Sequence, residues 1–152
     1  MYDSGYPPQS EAFGQHYNNQ MVLRLIRQIM GWESFDELMI DYLIGQTKDP
    51  GAEQILYDMR QDERNHYDTL AKIYTDISGQ RSNVQTPSGS IPESYEAGLG
   101  EVLQRKGKMM KLYVHLYIHS PLQYQSILYP FLSEEQTHMQ MINYLLIRKC
   151  CL

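Results

Sequence analysis

The chain has 152 residues, a formal net charge of −5, and 42% hydrophobic against 20% charged residues. That length suits one domain able to bury a core without disulfides, and the scattered Lys and Arg residues leave no basic patch for nucleic acid. No apolar run approaches the roughly 18 residues of a membrane span, and the opening MYDSGYPPQSEAFGQHYNNQ lacks the basic start and apolar core of a secretory signal, so a cytoplasmic protein is expected.

Residues 1–18 are rich in Tyr, Pro, Gly, Gln and Asn without a helical period and read as a flexible arm. From about Asn19 to Thr47, Val22, Ile26, Ile29, Met39, Ile40 and Leu43 recur at helical spacing and predict helix A. The turn KDPG follows, with Asp49 placed to cap and Pro50 to open helix B, which is expected to run to Ser78 and stop at Gly79. The polar, Gly-, Pro- and Ser-rich stretch 80–93 reads as a linker, and its length suggests a crossover. Helix C is expected from about Ser94 to His119. Helix D follows from Pro121 to about Lys149, with Pro130 inside it predicting a kink or bulge. The tail 150–152 carries the only two cysteines, Cys150 and Cys151, read as reduced thiols. The fold class expected is all-α: two tight helical hairpins joined by a long connection, over residues 19–149.

Two short stretches stand out, DERNH at 62–66 and EEQTH at 134–138. In a helix, positions i and i+3 share a face, so Glu63 with His66 and Glu135 with His138 can each direct a carboxylate and an imidazole at one point. Both pairs fall on apolar stripes, beside Met59 and Leu70 in B and beside Phe131 and Ile142 in D. Uncompensated carboxylates there would cost several kcal/mol or take up protons, and a cation is the simplest partner. His115 and His119 fall on the polar side of helix C and read as solvated.

This pattern resembles the ferritin-like, rubrerythrin-like four-helix bundles, in which two helices each give Glu-x-x-His and the other two each give a Glu to a dinuclear carboxylate site. The resemblance covers about residues 20–149. With DERNHYDTLAKIYTDISGQ and SYEAGLGEVL it looks closest to small ferritin-like proteins of spore-forming bacteria, some labelled spore coat proteins. It implies Glu63, His66, Glu135 and His138 as metal ligands and points to Glu33 on helix A. The apolar face puts Asp36 nearest its middle, so Asp36 is held as the alternative. On helix C the resemblance puts Lys106 where the family has its fourth carboxylate. Helical spacing agrees that Lys106 faces the core, among Leu99, Val102, Leu103, Met109, Met110 and Tyr113.

Four carboxylates carry about −4 and balance two divalent ions, whereas three with an ammonium carry about −2 and balance at most one. The expectation is therefore a partly degenerate site, non-catalytic, holding one divalent ion (iron or manganese) or none. A rival is an active di-iron carboxylate oxidase or peroxidase of rubrerythrin type, although no rubredoxin-like Cys pairs are present for electron delivery. A third reading is a structural spore or cell-surface component. The partners left open are a second copy of the chain, as a homodimer, and proteins of a spore assembly.

Overall fold

The computed structural model describes residues 9–151, and among them finds four α-helices and no strand. These are α1 (Gln9–Gln46), α2 (Pro50–Ser78), α3 (Tyr95–His119) and α4 (Leu122–Cys151). Helix α1 begins well ahead of Asn19, so the arm expected over 1–18 is helical from Gln9 onward, and residues 1–8 lie outside the described residues. Apolar periodicity marks only the part of a helix that packs, and the helix extends upstream of it to Gln9. Helix α4 likewise runs past Lys149, so Cys150 and Cys151 are helical and exposed.

Local chemistry sets the ends. Asp49 is extended and its Oδ1 accepts the Gly51 N–H at 2.9 Å, with Pro50 opening α2. Gly79 closes α2 in the left-handed region at φ 71°, its N–H donating to Thr75 O at 2.8 Å. A side chain there is strained, so Gly79→Ala is expected to cost about 1 kcal/mol, read as a shift of the urea midpoint at unchanged slope. Ser94 caps α3 by accepting the Ala97 N–H at 3.0 Å. Helix α4 continues through Pro130, where Ser126 and Pro130 are both exposed, so the carbonyl left without a donor can be hydrated.

Three of the four helices bury a strict alternating 3,4 stripe. In α2 it reads Ala52, Leu56, Met59, Glu63, His66, Leu70, Ile73; in α4 it reads Tyr124, Leu128, Phe131, Glu135, His138, Ile142, Leu145. In α3, Leu99, Val102, Lys106, Met109, Tyr113 and Leu116 follow the same rule. Charged residues thus occupy middle positions of stripes that are otherwise apolar. They divide the core into two hydrophobic clusters, one around Ile26, Leu70, Met109 and Phe131, the other around Ile40, Leu56, Leu99 and Ile142.

Helix α1 packs on α2 and α3, and α4 packs on α3 and α2. Each neighbouring pair runs antiparallel. Asp41 and Glu37 meet Arg60 and Arg64 across α1 and α2, Leu43 lies beside Gly98 across α1 and α3, and Glu96 and Tyr117 meet Lys149 and Gln125 across α3 and α4. Gly98 eases that approach, because a Cβ there would stand 2.8 Å from Leu43 Cδ2 and 3.3 Å from Pro92 Cγ, so these neighbours would have to shift. The connection 79–94 lies on α1, with Ser34 Oγ 2.7 Å from Thr86 Oγ1 and the Tyr42 hydroxyl donating to Pro92 O at 3.3 Å.

Candidate metal centre

All seven residues singled out in the sequence meet in the layer between the two apolar clusters. Glu33, Asp36, Glu63, His66, Lys106, Glu135 and His138 are each 3% exposed or less. The two helix A carboxylates divide the work rather than compete. Glu33 Oε1 lies 3.4 Å from His66 Nδ1 and accepts the Tyr113 hydroxyl at 2.6 Å, while Asp36 pairs with the Arg105 guanidinium and lies 3.6 Å from Lys106 Nζ.

The Lys106 ammonium sits inside the cluster. It donates to Glu63 and, at 3.1 Å, to Glu135 Oε1. Burial alone would drive its proton off, but the charges of Glu135, Glu63 and Asp36 outweigh that and raise its pKa well beyond the ordinary lysine value. Glu135 is correspondingly held far below the usual carboxylate range: burial opposes its charge, and Lys106, His138 and His66 overcome it. Asp36 is shifted upward, because burial outweighs the pull of Lys106 and Arg105.

The two histidines are arranged alike. Each turns Nδ1 inward, His66 to within 3.4 Å of Glu135 Oε1 and His138 to within 3.4 Å of Glu63 Oε1, so each imidazole meets the carboxylate of the other motif. Each turns Nε2 outward to an acid on the opposite helix, His66 to Glu134 Oε2 at 2.5 Å and His138 to Asp62 Oδ2 at 2.8 Å. Asp62 and Glu134 are partly exposed, at 42% and 37% of their side chains. An outer carboxylate that fixes ring orientation and leaves the inner nitrogen for the site is a common support of histidine ligands. Sequence reasoning assigned these two acids no role, although both motifs open with a doubled acid. Arg105 was also missed, since helical spacing puts it beside the core stripe rather than on it.

Burial opposes a proton on His66 and His138, yet the hydrogen bonds and charges of the carboxylates win at both. His66 is raised, by Glu135, Glu63 and Glu134, and His138 is pushed up to about 10 by Asp62, Glu135 and Glu63 against the repulsion of Lys106. With both imidazoles protonated, Lys106, Arg105, His66 and His138 balance Glu33, Asp36, Glu63 and Glu135, four charges against four. The raised His138 value means that its contribution to stability is complete below about pH 6.5, its ordinary pKa, and is lost as the pH rises through about 10. Protein held in chelator is therefore expected to melt progressively lower between about pH 7 and 10, and His138→Gln is expected to flatten that slope.

The chain matches no known protein family, no curated protein and no solved structure.

Glu33, Glu63, His66 and Glu135 place one ligand atom each within 4.8 Å of the others, a group that can hold a metal ion. The donor set also shows spare capacity. Glu33 Oε2, Glu63 Oε2, Glu135 Oε2 and His138 Nδ1 are buried without a hydrogen-bond partner, an arrangement that costs about 1–3 kcal/mol per group unless a cation or water answers it. These residues fit one cation. Glu63 and Glu135, the carboxylates lying between the two histidines, are already shared with an ammonium, which takes up capacity that a second ion would need. His115 and His119 stack on each other with centroids 6.0 Å apart, with His115 exposed.

Proposed function

We propose that this chain is a ferritin-like four-helix protein with a depleted, non-catalytic centre, which holds one divalent cation of the iron or manganese type in exchange for protons. The observation that carries the reading is Lys106, wholly buried and bonded to both Glu63 and Glu135 where a fourth carboxylate would otherwise stand. The 79–94 connection lying along α1 and the antiparallel hairpins support the ferritin-like arrangement.

Glu33, Glu63, His66 and Glu135 would hold the ion, with Glu134 and Asp62 keeping the Nε2 protons of the two imidazoles. A bound divalent ion supplies the counter-charge that the imidazolium protons otherwise supply. The inner protons of His66 and His138 would leave to solvent on binding, so that four carboxylates face Lys106, Arg105 and two positive charges on the ion. At neutral pH, removing the proton from His138 alone costs about 4 kcal/mol, which makes binding weak there and stronger at higher pH.

The dinuclear oxidase or peroxidase would need another carboxylate in place of Lys106. Asp36 is the one within reach, and it is paired with Arg105 and Lys106. The deciding experiment is metal content per chain after reconstitution with iron or manganese, combined with calorimetry in two buffers of different ionisation enthalpy. One ion per chain is expected, with protons released from the site and affinity rising with pH below the histidine pKa values. Two ions per chain, or one ion bound without proton release, would sink the reading.

A further inference from the structure

A cavity of about 520 Å³ opens between α1 and α3, lined by Trp32 and Gln28 on one side and by Arg105, Lys108, Met109, Lys111 and Leu112 among those on the other. Its volume is within the range of small-molecule pockets. The lining is of two kinds. Trp32, Met109 and Leu112 give an apolar floor with one aromatic ring, and Arg105, Lys108 and Lys111 set three cations against the single carboxylate of Glu101. That local excess of positive charge stands out in a chain whose net charge is −5.

The guanidinium of Arg105 is already engaged: its Nε is given to Asp36, its face lies over the Phe35 ring at 4.6 Å, and its Nη2 is buried, so it lends charge to the cavity wall rather than a free donor. Lys108 and Lys111 are exposed and neither forms a salt bridge among the described residues. An apolar floor edged by two unpaired lysines suits a ligand with a compact apolar body and a negative group.

We propose that this cavity is a binding site for a free amphiphilic monocarboxylate, its body against Trp32, Met109 and Leu112 and its carboxylate toward Lys108 and Lys111. The site is separate from the metal centre except at Arg105, and the proposal holds whether or not a cation is bound there.

Trp32 is the only tryptophan of the chain, so its fluorescence reports on this cavity directly. The probe is 4-phenylbutyrate, and the control is the neutral 4-phenylbutanol, both titrated into the full chain with excitation selective for tryptophan. A saturable change in Trp32 emission is expected with the acid, and the alcohol should bind at least about tenfold more weakly, since a hydrogen bond to a charged group is worth more than the 1.4 kcal/mol of a tenfold difference. The double variant Lys108→Glu with Lys111→Glu changes two exposed side chains and should keep its helix content and melting point. It is expected to lose at least about tenfold in affinity for the acid and little for the alcohol. Equal binding of acid and alcohol would overturn the proposal, as would a double variant that binds the acid like the parent. Trp32 emission insensitive to the acid would also overturn it, and is the result expected if a second copy of the chain covers this face.

Discussion

Lys106→Met is expected to destabilise the chelated protein by about 3 kcal/mol or more, the usual penalty for removing one partner of a buried ion pair. Methionine keeps an unbranched side chain of similar length on the buried stripe of α3, so the lost charge is what the experiment reads. Glu63 and Glu135 would be left with only the imidazolium protons of His66 and His138 as counter-charge, and Asp36 with Arg105 alone. In a buried setting a missing charge is felt far more strongly than at the surface. Urea denaturation in chelator measures the loss, and a divalent cation should recover part of it by taking up the exposed negative charge. A loss under about 1 kcal/mol would mean that the carboxylates around Lys106 are protonated rather than paired, and the charge balance drawn above would fail.

Lys106→Glu is expected to have the larger effect on composition. It replaces the ammonium by a carboxylate, so that Glu33, Glu63, Glu135, the new side chain and the two histidines form a donor set able to balance two divalent ions. Without metal, this variant concentrates five buried carboxylates against Arg105 and two imidazoles and should unfold readily or fail to fold. With iron or manganese supplied during refolding, it should be rescued and carry two ions per chain, against one for the parent. Metal analysis after exhaustive dialysis decides the matter. A folded Lys106→Glu protein that carries no more metal than the parent would show that charge at this position does not control the number of ions.

Much of this was legible because a helix writes its buried face into the sequence. The spacing of Leu56, Met59, Leu70 and Ile73 places Glu63 and His66 on the buried stripe, and that of Leu99, Val102 and Met109 does the same for Lys106. Turn chemistry is equally local, so Asp49 with Pro50, and Gly79, set the ends of α2 at the positions expected. The start of α1 was not legible, because residues 9–18 carry no apolar period to mark them.

Periodicity names a face and not the partner that the face meets. Asp62 stands one turn before His66 on its own helix, yet it bonds His138 across the α2–α4 contact, and Glu134 bonds His66 in return. Glu33 and Asp36 share one face of α1; spacing put Asp36 nearer its middle, while the family resemblance pointed to Glu33. Packing separates them, because α2 brings His66 to Glu33 while α3 brings Arg105 and Lys106 to Asp36. Arg105 lies beside the stripe and enters the site only because its side chain is long enough to reach across to α1. The sequence by itself determined which residues are buried together in the middle layer, since burial follows from local helical geometry. The tertiary structure alone decided how their charges pair, since each of those pairs joins two helices whose contact no local spacing encodes.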